Sequence, residues 1–266
     1  MTTLALANQK GGVAKTTSVV SLGAALSELG LSVLLVDLDP QASMTFSLGV
    51  DPEDLDVTIH DVMVGNATAV QALVGTEDGP DLLPAGIELA RVETEFAGVV
   101  GREKLVRTIL ETLTAQDIIY DWVILDCPPT LGVLTVAALT AADAVIIPLQ
   151  CETLAHRGVG QLLDTLHDVR QHTNADLETW GVLPTMYDGR TTHARTVLEN
   201  IADTYDLEVI SPPIPKTIKF AEAPAAGRSI LSTARTNKGA QAYREVAAGL
   251  VARERSARPR RRKKKS

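Results

Sequence analysis

The chain has 266 residues, 45% of them hydrophobic but only 3% aromatic, so it can bury a substantial core built from Ala, Val, Leu and Ile. The formal net charge of -8 is uneven: residues 253–266 hold nine Lys/Arg against one acid, which leaves residues 1–252 at -16. A body this acidic excludes a uniformly basic nucleic-acid binder, two cysteines exclude a disulfide framework, and the strand-sized apolar runs exclude a membrane span.

In chain order, Thr3 to Asn8 reads as a buried strand that runs into a Gly-Gly loop. Thr16 to Leu29 carries apolar residues at helical spacing, with Gly30 as its stop. Leu31 to Asp39 is a second buried strand ending in two aspartates, and "DLLPA" gives a brief third. "REKLVRTILETLTA" reads as a helix, followed by strands at Tyr120 to Asp126 and Asp143 to Leu149. A helix over Leu154 to Gln171, a strand over Thr179 to Met186 and a closing helix over Gly239 to Glu254 complete the pattern. Apolar strands without alternation, separated by helices, predict an α/β fold with a mostly parallel, doubly wound sheet and helices on both faces. Residues 1–252 are expected to form a single domain. The tail 253–266, with "ARPRRRKKKS", is too charged to pack and reads as disordered. With no charged-then-apolar leader ahead of residue 8, and no His pairing at metal spacing, a cytoplasmic protein without structural zinc is expected.

Ligands of such sheets sit at the carboxyl ends of the strands, where Asn8, Asp39 and Asp126 fall. "NQKGGVAKTT" stands between a strand and a helix, where backbone N–H groups converge on anions. The usual phosphate-loop pattern expects glycine where this chain has Gln9 and Ala14, and Lys10 is an additional cation at the front. Gly11 and Gly12 allow close approach to phosphate, with Val13, Ala14 and Thr17 completing the cradle. Lys15 can reach the outer phosphates, the Thr16 hydroxyl can ligate Mg²⁺, and Asp126 is placed to hold that metal through water.

"KGGVAKTT", "VLLVDLDPQAS" and "WVILDCPPTLGVLT" together resemble the deviant Walker-A P-loop NTPases of the ParA/Soj type and their relative MinD. The resemblance spans nearly the whole body and is of the short type. It implies an ATPase with ATP and Mg²⁺ as cofactors, weak unless a partner stimulates it. It implies that Lys10 crosses the interface of an ATP-bound homodimer to reach the partner's nucleotide. It also implies that Asp39 orients or deprotonates the attacking water and that Asp37 organises the site. The family usually has glycine at the position of Ala14, whose methyl group would crowd a loop needing positive φ.

Residues 186–252 hold eight basic and seven acidic side chains, against eight and 25 in residues 1–185, so cations gather late in the body. "PIPKTIKFAEAP" resembles the family segment that closes over adenine, which assigns Pro213 and Pro215 to the nucleotide. Arg190, Lys216 and Lys219 match positions whose cations bind DNA without sequence preference. The family usually has arginine at the last two, so lysine keeps the charge but loses the bidentate fork. The resemblance therefore implies a nucleoid-associated positioning ATPase, released from nonspecific DNA when a ParB-like or other protein stimulates hydrolysis. Three alternatives stay open: an orphan member positioning other cargo, a MinD-like membrane ATPase, and a metabolic enzyme of this fold that activates a carboxylate. The membrane reading would use the stripe Ala242, Tyr243, Val246, Leu250 and Val251, and is the weaker for it, since that stripe suits the sheet. An iron–sulfur protein using Cys127 and Cys151 is disfavoured by their lack of ligand pairing.

Overall fold

The computed structural model describes residues 1–152 and 155–264. Strands β1 (Thr2–Leu6), β2 (Val33–Asp37), β3 (Val74–Gly75), β4 (Asp81–Leu83), β5 (Trp122–Asp126), β6 (Ala144–Gln150) and β7 (Glu178–Thr185) form one sheet. Its order is β3-β4-β2-β5-β1-β6-β7, with every pairing parallel except β3 with β4. Helices α1 (Lys15–Glu28), α2 (Ser43–Ser47), α3 (Ile59–Val64), α4 (Ala69–Ala72) and α5 (Val92–Glu95) belong to the first half. They are followed by α6 (Leu105–Ala115), α7 (Val133–Ala141), α8 (Ala155–His172) and α9 (Thr192–Tyr205). The chain closes with α10 (Lys219–Glu222), α11 (Ile230–Thr233) and α12 (Lys238–Lys264).

The unbroken apolar strands are explained by cover on both faces. Leu4, Leu6, Val33 and Leu35 point into one core with Val19, Leu22 and Leu26 of α1 and Tyr243, Val246 and Leu250 of α12. Ala5, Leu34 and Val36 point into the other, with residues of α6, α7, α8 and α9. The all-buried strands β1, β2 and β5 thus give no period-2 signal, and their length and flanking loops identify them instead.

One expectation is corrected: the boundary at residue 252 falls inside α12. Arg253 donates to the Trp180 carbonyl at 3.0 Å, pairs with Glu208 at 2.8 Å and lies 5.4 Å from the Trp180 ring centroid. Glu254 is buried and accepts from the Thr2 hydroxyl at 3.3 Å. Charge alone marked these residues as tail, but their partners come from β1, β7 and Glu208 beside β7, which no local pattern reveals. The backbone of 253–264 is helical rather than irregular, and Lys265 and Ser266 lie outside the described residues. The expected helix start at Leu154 lies outside the described residues, and α8 is described from Ala155.

The edge beside β7 positions part of the site. Gly181 has φ +129, and a Cβ there would stand 2.2 Å from the Glu208 carbonyl oxygen. Only glycine lets residues 208–210 lie against β7, where the Val182 N–H donates to Glu208 and the Ile210 N–H donates to Val182, both at 2.8 Å. The same segment continues to Ile214, whose N–H donates to the Pro184 carbonyl at 2.7 Å.

Candidate functional site

The loop after β1 is held from three directions. The Asn8 side-chain amide donates to the Pro148 carbonyl at 2.8 Å, and its Oδ1 accepts the Lys10 N–H at 2.9 Å. The Thr185 hydroxyl, at the end of β7, donates to the Val13 carbonyl at 2.9 Å. The Ser18 hydroxyl donates to the Ala14 carbonyl at 2.7 Å and lies 2.8 Å from the Tyr243 hydroxyl of α12. Gly12 has φ +74, and Ala14 has φ 62 and ψ 35, so the left-handed conformation that favours glycine falls on an alanine. That residue carries strain of about 1 kcal/mol.

Helix α1 starts without a side-chain cap and without an acid in its first turn, whereas α3 and α4 each start with a capping box. The uncapped N–H groups and the positive end of the helix dipole are left for an anion. Lys15, Thr16 and Thr17 form this turn, and Lys15 is buried although charged.

Across the strand ends, Leu6 is level with Asp126 and Asp126 is level with Asp37. Asp37 is fully buried and well supplied: its Oδ2 accepts the Thr45 N–H at 2.9 Å and hydroxyl at 2.8 Å, and its Oδ1 accepts the Asp39 N–H at 3.1 Å. The Thr45 hydroxyl in turn accepts the Ala85 N–H at 3.0 Å, which ties the loops after β2 and β4 together. Asp126 differs. Both its carboxylate oxygens are buried with no hydrogen-bond partner of ordinary geometry. Burial, with Asp37 beside it, pushes its carboxyl up, and the nearby Thr16 hydroxyl and Lys15 ammonium only partly offset this. A buried carboxylate with no well-formed hydrogen bond fits a cation as its partner. Among the described residues no group of three or more His, Cys, Asp or Glu could cage a metal. Magnesium needs no such cage, because it takes one or two side chains and completes its shell with phosphate and water oxygens. Thr16 and Asp126 are the residues that fit it here, and the ion would neutralise charge on the phosphates.

Asp39 is half-buried, and its Oδ1 closes the following turn by accepting the Gln41 N–H at 3.0 Å. Lys10 does not lie over the loop's own phosphate position unengaged: its Nζ is 2.5 Å from Glu152 Oε2, just beyond the end of β6.

Comparison with known proteins agrees with this geometry. The AAA domain family profile matches residues 1–179. The sporulation initiation inhibitor protein Soj of Bacillus subtilis is 40% identical over 250 residues, covering 94% of this chain and 98% of Soj. The chromosome partitioning protein ParA of Caulobacter vibrioides is 42% identical over 253 residues, covering 95% and 94%. The chain belongs to the ParA/Soj family of P-loop ATPases. Among solved structures, a protein described as cobyrinic acid a,c-diamide synthase from Mycobacterium smegmatis, with bound ATP analog and magnesium, is 52% identical. It superposes with a TM-score of 0.86 and covers 97% of both chains.

The remaining expected residues fall in two groups. Pro213 and Pro215 flank Ile214, which is bonded through Pro184 and Tyr187 to either side of Thr185, the residue that holds Val13. Residues 213–215 are therefore strung beside the phosphate loop. Tyr187 bridges to Pro215, which brings the 188–190 turn and Lys216 to the same end of the sheet. There Arg190 is 90% exposed and binds Asp188 through two guanidinium bonds of 2.9 and 2.8 Å, and this pairing holds Asp188 well below the usual carboxylate range. Lys219 pairs with Glu222 at 2.6 Å, and Lys216 is exposed.

Cys127 and Cys151 are both buried and free; burial pushes the Cys151 thiol up to about 11 and the Cys127 thiol higher. Ala242, Tyr243, Val246 and Leu250 are buried in the core, so that stripe is not presented to lipid. Among the described residues no helix is long and apolar enough to cross a membrane. Sequence reasoning missed Glu152, Thr45 and Thr185 and saw Tyr243 only as part of an apolar stripe; Glu152, Thr185 and Tyr243 act through residues far away in the chain. Thr45 alone left a trace, a hydroxyl eight residues after a buried strand-end aspartate.

Proposed function

We propose that the protein is an ATP-switched positioning ATPase. ATP and Mg²⁺ bind at the α1 N-terminus, two subunits close face to face over the nucleotides, and the dimer binds duplex DNA without sequence preference. A partner protein then stimulates hydrolysis to ADP and phosphate, and the dimer is released. The observation that carries this reading is the uncapped, cationic start of α1 facing the partnerless Asp126 carboxylate, a site completed by a magnesium-bound phosphate chain. Lys15 and Thr16 hold the outer phosphates and metal, Pro213 and Pro215 flank the base, and Asp39 manages the water. Lys10 reaches the phosphates of the facing subunit, where a cation in trans stabilises charge on the transferring group. Arg190, Lys216 and Lys219 supply phosphate contacts to DNA. A chromosomal or other cargo fits equally, and a ParB-like protein is the partner that the family resemblance implies.

The deciding experiment measures binding to random-sequence duplex DNA, with ATP and with ADP, across a salt series, using the Asp39→Ala protein. The truncation should remove 257–266 rather than 253–266, because Arg253 and Glu254 pack on the body. ATP-dependent, salt-sensitive binding that survives truncation is expected. Binding that ignores the nucleotide and vanishes with the tail would overturn the switch.

The name of the Mycobacterium smegmatis protein favours a second reading, ATP-driven amide formation on a carboxylate. Both thiols of this chain are buried, so neither is presented as a nucleophile for drawing ammonia from glutamine. Hydrolysis to ADP and phosphate that is indifferent to cobyrinic acid and ammonia separates the positioning reading from this one.

A further inference from the structure

The Lys10–Glu152 contact joins the phosphate loop to the end of β6 across 142 residues of sequence. Lys10 is pinned at its backbone by Asn8, and Asn8 is pinned to β6 through Pro148, so the lysine's root cannot drift. Gly158 of α8 packs against the same corner, where a Cβ would stand 3.2 Å from Asn8 Oδ1. Glu152 is held in register by its own N–H, which donates to the Gln150 carbonyl at 2.8 Å. The two side chains are 30% and 52% exposed, so both can be reached by a second molecule.

An ammonium 2.5 Å from a carboxylate is already neutralised. It cannot give the same charge to a triphosphate on another subunit without letting go. We propose that Glu152 is a positioning residue for Lys10, a latch within one subunit that keeps the lysine from the partner's nucleotide until phosphate oxygens displace the carboxylate. The proposal rests on the two-subunit reading of Lys10. Its function is to set the threshold for dimer closure, so that ATP binding alone does not close the dimer at low protein concentration. Because a symmetric dimer must open two such latches, their effects multiply. A half-exposed pair is worth up to about fivefold, which gives about 25-fold for the dimer.

The test uses full-length protein with Mg²⁺ and a non-hydrolysable ATP analogue, and follows dimerisation by sedimentation. Glu152→Gln should lower the dimer dissociation constant by up to about 25-fold, while analogue binding to dilute monomer stays within twofold. In the nucleotide-free wild type, an amine-reactive reagent should label Lys10 more slowly than the exposed Lys216, and Glu152→Gln should remove that protection. A Glu152→Gln dimer that is unchanged or weaker overturns the latch, as does wild-type Lys10 labelled as fast as Lys216. Lys10→Ala separates this from failure of the underlying reading. If that variant closes its dimer as readily as wild type, the trans role of Lys10 falls, whatever Glu152 does. If it blocks closure while Glu152→Gln changes nothing, only the latch falls.

Discussion

Lys15 and Arg190 are both assigned to phosphate oxygens, yet the molecule treats them in opposite ways. Lys15 is buried on the first turn of α1, in a loop fixed by bonds from β6, β7 and α12, with a partnerless carboxylate across from it. Arg190 is almost wholly exposed, and its charge is met by Asp188 two residues earlier. The first region fits a cationic and anionic ligand together, because burial leaves the Asp126 carboxylate poorly supplied with donors beside Lys15. The second is complete as it stands, and a ligand there must compete with an acid already in place. A core site thus shows its ligand through a buried polar group in need of a partner, whereas a surface site can be inferred only from charge and resemblance.

The sharpest way to break this contrast is to remove the buried cation. Lys15→Ala is expected to weaken binding of a fluorescent ATP analogue by about 100-fold or more, since the charge-assisted contact to the outer phosphates is lost and only the helix-end field remains. Melting temperature should change little by comparison. A loss of less than about tenfold would mean that the α1 terminus binds phosphate without its lysine, and the contrast between the two regions would lose its basis.

The partnerless carboxylate gives the next largest effect. Burial raises the folded-state pKa of Asp126 above its unfolded value, so its contribution to stability is present at low pH and lost as pH rises from about 4 through neutrality. The attraction of Lys15 opposes this and is outweighed by burial and by Asp37. Asp126→Asn should therefore stabilise the metal-free protein at pH 8 by about 1–3 kcal/mol, a rise of several degrees in Tm, with the gain shrinking toward pH 4. The same variant should lose the stabilisation that Mg²⁺ with nucleotide gives the wild type. Thermal melts at the two pH values, with and without MgATP analogue, check both halves. Equal melting of variant and wild type at pH 8 would show that the carboxylate is not strained by burial.

These contrasts also explain what was legible in the sequence. The strands β1, β2, β5 and β6 and helix α1 were read within a few residues, because double-sided burial writes itself as continuous Val, Leu and Ile. The positions of Lys10, Lys15, Thr16 and Asp126 at the strand ends could be placed from the sequence because the loop is contiguous and Asp126 ends a strand. The two-residue edge strand β3 is too short to carry a pattern. The path of 208–215 along β7 depends on one glycine, Gly181, whose role appears only when the Glu208 carbonyl stands against it. Arg253 was read as tail because charge dominates composition, while its partners Trp180 and Glu208 lie far upstream. Glu152 was invisible for the same reason: its meaning is its distance from Lys10.

The smallest effect falls on the exposed region and sharpens the comparison. Asp188→Asn keeps an Oδ1 acceptor for the Arg190 N–H, which closes the turn at 3.1 Å, but removes the charge that neutralises the guanidinium. In the ATP-bound state, affinity for random-sequence duplex should rise about two- to threefold at low salt, and the salt dependence should steepen by about one phosphate contact. The change is modest because an exposed pair is loosely held and an incoming phosphate can displace it in the wild type. Fluorescence anisotropy on labelled duplex across a salt series reads both quantities. An unchanged slope would mean that Arg190 does not meet DNA phosphate. The cations of this face would then reduce to Lys216 and Lys219, of which Lys219 is itself paired with Glu222.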